Sequence, residues 1–339
     1  MNRPLYVLLP LLAALLAPSA ALAQGLSTPT VGTGESTAAT ADPTAVYFNP
    51  AMTAFAEEPE LFLGGTLVIG DIRYERDYRA TYQRPDSFDF ASPIDPSAVD
   101  QLKRGRQETV RSNPVAPAPS LFATIPLSDR LVGGFGTYSP YAAILDFPDD
   151  GAQRFQLTEA IIATVFVTPT LSYRIHDRFS IGAGASYVAG FAEISRTQDF
   201  AGLSEVGDAL ERPPISQQND FGPNAPAEVR ELDVMARPFV LRRAFSHSGT
   251  FHVGMAAEPL PGLRIGIVYQ HSTRMRFKGD FELDMDDDFF TQDLRSQGLA
   301  YDPRVTGDAT LRFNLPRILR FAGSWQMNEY LRGAIDVAY

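Results

Sequence analysis

The residues of this sequence best suited to acid–base chemistry at neutral pH are its four histidines, His176, His247, His252 and His271. Ser246 and Ser248 flank His247, so a serine hydrolase acting on lipid or peptide is the enzyme that this spacing allows. No Gly-x-Ser-x-Gly elbow, zinc-ligand spacing or phosphate-binding loop accompanies them. We therefore predict no catalytic residues, and a lipid hydrolase is the weaker alternative.

Metal and cofactor chemistry has little support in the sequence. Cysteine is absent, which excludes disulfides, thiolate metal sites and a catalytic thiol. The acidic residues Asp284 and Asp286–Asp288 could bind Ca²⁺, but they lack the Gly and Glu offsets of an EF-hand and equally suit a solvated loop. We predict no metal and no cofactor.

The charge balance argues against a nucleic-acid partner. The chain has 40 acidic against 29 basic residues, a formal net charge of −11, and its lysines are Lys103 and Lys278 alone. Nucleic-acid-binding proteins present clustered Lys and Arg instead.

The N-terminus indicates export. Residues 1–23 combine a basic start, an apolar stretch (Leu5–Ala17) and the small-x-small sequence Ala21-Leu22-Ala23. This is the layout of a secretory signal peptide with cleavage before Gln24. After it, no window approaches the roughly 20 apolar residues of a membrane helix. A membrane role would therefore have to use strands.

Alternation of apolar and polar residues dominates the rest of the chain. It is clearest between Phe179 and Phe191, where apolar residues occupy one parity and Ser or Gly most of the other. A period of two predicts strands with two different faces. We predict strands near residues 60–82, 116–126, 131–141, 157–174, 179–198, 246–258, 263–281, 307–323 and 330–339.

Connections of two lengths alternate between these strands. The short turns cover 126–130, 175–178, 259–262 and 326–329, and the long connections cover 83–115, 142–156, 199–245 and 282–306. Bacterial outer-membrane barrels join their strands by short periplasmic turns and long outer loops. We therefore predict an all-β, antiparallel transmembrane β-barrel, with a soluble sandwich as the alternative.

The segment before the first strand has a different character. Residues 24–59 are small and polar until Val46–Met52, so they do not fit as a strand. Such a segment either hangs in the periplasm or folds into the lumen, and a barrel wide enough to carry cargo leaks unless its lumen is filled. We predict that residues 24–59 form a plug, or hatch, in the lumen and that residues 60–339 form the barrel.

Short segments between Gly32 and Tyr339 occur in an order typical of one known family. The first is Gly32–Asp42 followed by Tyr47–Ala51, and the second is Gly134–Tyr141 with Asp146-Phe147-Pro148. The others are Arg154–Gln156, Pro169–Gly184, Phe277–Asp280 and Leu315-Pro316. Together they resemble the FadL-type (OMPP1/FadL/TodX) family of outer-membrane transporters of long-chain fatty acids and other hydrophobic molecules. The first segment resembles the family's plug, with its motif Asn49-Pro50-Ala51, and the second its third strand.

The resemblance implies a channel of the bacterial outer membrane for passive uptake. Outer loops would capture the ligand, a plug-gated pocket would hold it, and an opening at the third strand would release it sideways. That strand carries Gly133, Gly134, Gly136 and Pro140. Glycine packs no side chain and proline removes a ladder donor, so such a strand bends easily. An ordinary turn edge at Gly133-Gly134 is the alternative.

Apolar residues in two long loops are candidates for ligand capture. One set has helical spacing and the other is a phenylalanine pair: Phe200, Leu203, Val206, Leu210, Phe289 and Phe290. Such residues suit an outer hydrophobic groove, and they suit simple packing onto the rim equally.

The resemblance also sets the expected size and partners. It implies about fourteen strands, while about nine are predicted, and bacterial barrels have even numbers. The sequence is therefore expected to be incomplete at its C-terminus. The expected partners of this monomer are a long-chain fatty acid or other hydrophobic ligand, outer-membrane lipid and lipopolysaccharide. A porin for polar solutes is the alternative, and it would place more charges at a constriction.

A fatty-acid carboxylate would need a cation in the lumen. The strand arginines at inward parity are Arg73, Arg264, Arg312 and Arg332. Pairing with an inward carboxylate such as Asp71 or Asp336 is their structural alternative.

Overall fold

The computed structural model describes residues 37–75, 109–199, 236–286, 302–327 and 331–339. Two short helices come first, α1 (Ala45–Phe48) and a 3₁₀ helix (Pro50–Phe55). The strands are β1 (Glu60–Ile69), β2 (Ile72–Tyr74), β3 (Val110–Ser112), β4 (Val115–Pro126), β5 (Leu131–Tyr138), β6 (Ala142–Asp146), β7 (Glu159–His176), β8 (Phe179–Asp199), β9 (Ala236–Leu260), β10 (Leu263–Gln270), β11 (Thr273–Asp284), β12 (Arg304–Leu315), β13 (Ile318–Gln326) and β14 (Arg332–Ala338). None of the helices described is long and apolar enough to cross a membrane.

Most of the strands form one curled antiparallel sheet. Its main path runs β1-β4-β5-β7-β8-β9-β10-β13-β14, and with the strands off this path the sheet has twelve strands, more than the nine predicted. β6 pairs with β7, β11 pairs with β9 and β12, and β2 and β3 form a separate two-stranded sheet. The predicted all-β antiparallel fold is confirmed. Within the described residues no ladder joins the two edge strands, β1 and β14.

Short turns gather at one end of the sheet, here called the turn end. Leu127–Arg130 join β4 to β5, Asp177-Arg178 join β7 to β8, and Pro261-Gly262 join β9 to β10. Gly262 has φ 76°, a left-handed conformation that glycine adopts without a Cβ clash. These three turns were predicted, and residues 328–330 of the fourth lie outside the described part of the chain. The opposite end is called the loop end.

Several predicted strand bounds are wrong. Residues 263–281 and 307–323 each contain two strands, with interruptions at 271–272 and 316–317. β9 begins at Ala236, inside the predicted loop 199–245, and its 25 residues pair with β10 near the turn end and with β11 near the loop end. Pro316 has no N–H for a ladder, which explains why β12 ends before it.

The outer face of the sheet is apolar near the turn end. On β8, Phe179, Ile181 and Tyr187 are exposed, whereas Ser180 and Ser186 are buried on the inner face. This confirms the two faces predicted from the alternation of Phe179–Phe191. The same band of exposed apolar side chains continues across the sheet at Leu61, Leu63, Leu67, Leu171, Val253, Met255, Ile265 and Phe321. Such a band is the surface that a transmembrane barrel presents to lipid.

Near the loop end the two faces exchange their character. Met275 and Phe277 on β11 are buried in one cluster with Val46 and Phe48, and Phe313 on β12 packs against it. Arg312 therefore points outward and is exposed. Its predicted inward position is wrong, because alternation separates two faces without showing which of them faces inward.

Candidate functional site

Residues 37–56, here called the N-terminal segment, are held on the inner face of the sheet by hydrogen bonds along their length. Near its start, the backbone N–H of Ala38 donates to Asp336 Oδ2 on β14 at 2.9 Å. Further contacts come from side chains of β7, β8 and β13: Arg174 Nε to Ala54 O at 3.0 Å, Ser180 Oγ to Ala51 O at 2.7 Å, Ser172 Oγ with Thr53 Oγ1 at 2.8 Å, and Ser324 Oγ to Ala39 O at 3.3 Å. The segment thus bridges strands from both halves of the sheet.

Asn49 fastens the middle of this segment to the sheet. Its side chain is fully buried, and its amide Nδ2 donates to Ala38 O at 2.9 Å and to Met255 O on β9 at 3.1 Å. Its Oδ1 accepts the N–H of Ala51 at 3.1 Å, which caps the 3₁₀ helix that Pro50 begins. The predicted motif Asn49-Pro50-Ala51 is therefore a capped turn fixed to the sheet.

Three glycines on the inner face of the sheet make room for that turn. A Cβ on Gly254 or Gly266 would overlap Asn49 or Ala38, and a Cβ on Gly182 would come within 2.5 Å of Ala51 N. Gly182 and Gly254 are direct partners in the β8–β9 ladder. A larger residue at any of these positions would push the segment off the sheet, because buried backbone has no room to move.

His252 binds the neighbouring helix. Its ring is buried on the inner face of β9, and Nε2 donates to Val46 O at 2.9 Å. The other histidines contact Tyr187, Tyr269 and the backbone N–H of Arg178. These contacts give the four side chains structural partners, and none of those partners is a serine.

An aromatic cluster lines the inner face beside the N-terminal segment, toward the loop end. Phe122 stacks on Tyr138 at 5.3 Å between ring centroids, Tyr138 on Phe166 at 5.7 Å, and Tyr47 meets Tyr138 edge-on at 4.9 Å. The cluster extends with Val46, Phe48, Tyr141, Val188, Met275 and Phe277, all buried. Its surface is therefore suited to apolar and aromatic molecules.

The guanidinium of Arg320 reaches this cluster from β13. The guanidinium carbon of Arg320 on β13 lies 5.7 Å from the ring centre of Tyr47 and 5.5 Å from that of Phe48. Burial raises the pKa of Tyr47, and its hydrogen bond with Arg320 opposes that shift, so the phenol is protonated at neutral pH. The hydroxyl of Tyr141 is buried and has no hydrogen-bond partner among the described residues. Arg320 and Tyr141 are thus polar groups at the edge of an apolar surface.

Sequence reasoning missed Arg320 and proposed other arginines. Arg73 pairs with Glu75 on the exposed β2 side, and Arg264 Nε lies 3.4 Å from Glu258. Arg332 donates to Ser324 Oγ at 3.4 Å. The sequence does contain a signal for Arg320, because it alternates with Leu319 and Phe321. Residues of their parity face lipid in the turn-end half of the sheet, which places Arg320 on the inner face.

The predicted exit strand is regular up to Tyr138. Gly133, Gly134 and Gly136 lie in β5, which is in register with both β4 and β7. A Cβ on Gly134 or Gly136 would approach Val46 to within 2.8 or 3.0 Å, so these two glycines admit α1. The interruption falls at Ser139-Pro140, after which the chain resumes as β6.

Beyond this interruption two strands lie side by side without a ladder. β6 pairs with β7 only, and the half of β4 nearest the loop end, Val115–Ser120, pairs with β1 only, among the described residues. Pro117 and Pro119 lie in that half and have no N–H to donate. The candidate capture residues Phe200, Leu203, Val206, Leu210, Phe289 and Phe290 lie outside the described residues.

These features define a class of protein: an antiparallel transmembrane sheet with an apolar outer band, whose inner face holds an N-terminal segment beside an aromatic cluster. Comparisons with known proteins are specific. Residues 11–339 match the model of the family described as "Outer membrane protein transport protein (OMPP1/FadL/TodX)". The chain belongs to this family of outer-membrane transport proteins.

Individual relatives are distant. The chain is 23% identical over 258 residues to the "Long-chain fatty acid transport protein" of Escherichia coli (strain K12), covering 74% of this chain and 54% of the relative. The corresponding protein of Shigella flexneri is 22% identical with the same coverage. The chain therefore spans about half the length of the curated relatives it matches.

Solved structures confirm the fold. A Pseudomonas aeruginosa FadL homologue has a TM-score of 0.65 at 20% identity, with 93% of this chain and 69% of that chain covered. The Pseudomonas putida toluene transporter TodX has a TM-score of 0.56 at 14% identity, with 93% and 71% covered. At this identity the likeness concerns the fold alone.

Proposed function

We propose that the protein is a channel for passive uptake of hydrophobic molecules, long-chain fatty acids above all, across the outer membrane. The observation that carries the proposal is the aromatic cluster beside the N-terminal segment. A porin for polar solutes needs charged side chains facing water at a constriction. Here Phe122, Tyr138 and Phe166 occupy the inner face instead, and this surface favours apolar cargo.

The N-terminal segment acts as the plug in this proposal. Its many hydrogen bonds to the inner face, together with the glycines that receive it, support a closed resting state. Water and ions are then kept out of the lumen while a ligand that dissolves in the aromatic cluster is retained. The names of the relatives fit this proposal, because they include a fatty-acid transport protein and a toluene transporter.

The boundary between β4 and β6, which no ladder joins among the described residues, is the proposed lateral exit. It begins at Pro140, next to Tyr138 and Tyr141 of the aromatic cluster. A hydrophobic ligand that leaves there enters the apolar outer region without crossing water. Capture by the long loops, through Phe200, Leu203, Val206, Leu210, Phe289 and Phe290, stays a prediction.

Arg320 and Tyr141 favour a fatty acid over an uncharged hydrocarbon. A carboxylate beside Arg320 would accept charge-assisted hydrogen bonds, and the Tyr141 hydroxyl would gain the partner that it lacks among the described residues. The alkyl tail would then lie along Phe48, Tyr138 and Phe166. A monoaromatic hydrocarbon uses the same rings and leaves both polar groups unused.

We expect Arg320→Gln to weaken oleate binding by about tenfold or more, because a charge-assisted hydrogen bond contributes roughly 1.5–3 kcal/mol. Toluene affinity should stay within about twofold. The measurement is equilibrium binding of both ligands to the full-length protein in detergent, with the exposed turn residue in Arg178→Gln as the matched control. Equal loss of both ligands would show that Arg320 supports the fold rather than the carboxylate.

A further inference from the structure

A group of exposed cations lies on the outer face of the sheet, near the loop end. It consists of Arg274, Arg276 and Lys278 on β11 and Arg312 on β12, here called the basic belt. These residues alternate with Thr273, Met275 and Phe277, which are buried on the inner face. In a chain with a net charge of −11, this grouping runs against the overall charge.

The basic belt lies at the level of the lipid headgroups. A strand rises about 3.4 Å per residue and tilts by about 40° in such barrels, so Arg274 stands roughly 30 Å above the turn end. Directly below it lies a group of aromatic rings: Phe251 stacks on His271 at 4.9 Å, and Tyr269 Oη is 3.1 Å from His271 Nδ1. Aromatic rings of this kind mark the edge of the hydrocarbon region, so the belt lies where lipid phosphates lie.

Two of the arginines lie directly opposite each other on neighbouring strands. Arg276 and Arg312 are partners in the β11–β12 ladder and share the outer face. Cβ atoms of such partners are about 5 Å apart, and like charges at that position destabilise a sheet. Neither side chain forms an ion pair with a described residue. An anion placed between them would remove the repulsion.

Another opposed arginine pair, on β2 and β3, is balanced differently. Arg73 and Arg111 are direct partners in the β2–β3 ladder. Arg73 pairs with Glu75, and Arg111 lies 4.0 Å from Asp71. Carboxylates of the protein itself therefore balance that pair, whereas no described carboxylate balances Arg276 and Arg312.

The belt is confined to one sector of the outer face. In register with Lys278, the neighbouring strands present Phe245, then Phe191, then Ala163, none of them charged. In the next row toward the loop end, Asp280 lies opposite Asp308 on β12 and opposite the exposed Arg242 on β9. At the level of Lys278 the cations are therefore confined to β11 and β12, and an anionic partner at that level is directed to these two strands.

An apolar groove lies on the same face below the belt. It has a volume of about 590 Å³ and is lined by Leu171, Tyr173, Ile181, Val253, Met255 and Tyr269. Apart from the half-buried Tyr269, these side chains are exposed on the outer face, and β10, which carries Tyr269, leads directly to β11. A lipid with phosphates at the belt can place an acyl chain along this groove.

We propose that the basic belt and this groove bind the phosphorylated glycolipid of the outer leaflet, lipopolysaccharide, through its lipid A phosphates. Arg276 and Arg312 hold one phosphate between two guanidinium forks, which match phosphate oxygens bidentately. Arg274 and Lys278 flank it on the same strand. The glycolipid fixes the height of β11 and β12 in the membrane, whatever ligand the channel carries.

The test is equilibrium binding of lipid A to the full-length protein in detergent, with dephosphorylated lipid A and phosphatidylglycerol as the other probes. We expect Arg276→Gln/Arg312→Gln to weaken lipid A binding by at least tenfold. Arg276→Lys/Arg312→Lys, which keeps the charge and loses the fork, should weaken it by a few fold. The matched control Arg73→Gln/Arg111→Gln removes an opposed arginine pair of equal charge and should leave binding unchanged.

Several outcomes would overturn the proposal. Equal binding of lipid A by the native protein and the Gln pair would show that the belt is not the site. Equal affinity of the native protein for phosphatidylglycerol or dephosphorylated lipid A would show that phosphorylated glycolipid is not the partner. Should the Gln pair fail to fold, unchanged binding in the Lys pair would exclude the bidentate contact. Oleate uptake is expected to persist in all variants, which separates this result from the proposed transport function.

Discussion

Asn49→Leu is expected to turn a non-conducting channel into one with steady ion conductance, an increase of at least tenfold in planar bilayers. The substitution removes both hydrogen bonds donated by the side-chain amide and leaves the Ala51 N–H without its acceptor. Each buried group left unpaired costs about 1–3 kcal/mol, and the cost adds to several kcal/mol at this one residue. The N-terminal segment should then leave the inner face.

A substitution on the opposite side of the contact should give the same result. Gly254→Val places a side chain where Asn49 lies. Asn314→Leu is the matched control, because Asn314 is exposed on the outer face of β12. The chain contains no cysteine, so Met52→Cys, at a fully buried position, reports displacement through maleimide labelling. If Asn49→Leu stays closed and Met52→Cys stays unlabelled, the segment is not a plug that Asn49 holds.

Closing the boundary between β4 and β6 should abolish lateral release. We expect Pro117→Val/Pro119→Val/Pro140→Val to lower oleate uptake by at least tenfold. Valine restores the missing N–H groups and favours an extended strand, so β4 and β6 can pair. The affinity for oleate should be unchanged, because none of these prolines belongs to the aromatic cluster. The measurement is the initial rate of uptake beside equilibrium binding.

The control for this prediction uses prolines in strands that are already paired. Pro126 lies opposite Val132 and Pro169 opposite Phe135, so Pro126→Val/Pro169→Val adds N–H groups without closing a boundary. Uptake in that variant should match the native rate. Normal uptake in the triple variant, with folding intact, would place the exit elsewhere.

The sequence predicted the sheet well because its signals are local. The alternation at Phe179–Phe191 and the turns at Asp177-Arg178 and Pro261-Gly262 depend on neighbouring residues only. The interruptions at 271–272 and 316–317 depend on which strands lie beside them. β9 is long because it pairs with both β10 and β11. Such pairing is not visible in a single strand's pattern.

The candidate site was predicted in part. Asn49-Pro50-Ala51 was singled out by resemblance, and its contacts explain why an amide is needed there. Gly134 and Gly136 were predicted to bend β5, yet they admit Val46, a long-range contact that no local pattern shows. Arg320 was missed and Arg312 was placed on the wrong face, because the apolar face changes sides between the turn end and the loop end. The capture residues in the long loops stay predictions.

The central claim is uptake of a hydrophobic molecule, and oleate uptake tests it most directly. The full-length protein would be expressed in cells that lack their own long-chain fatty-acid channel, and the initial rates of labelled oleate and of a polar sugar would be compared. We predict that oleate uptake is restored and sugar uptake is not. Sugar entry without oleate uptake, from protein folded in the outer membrane, would contradict the account and identify a porin.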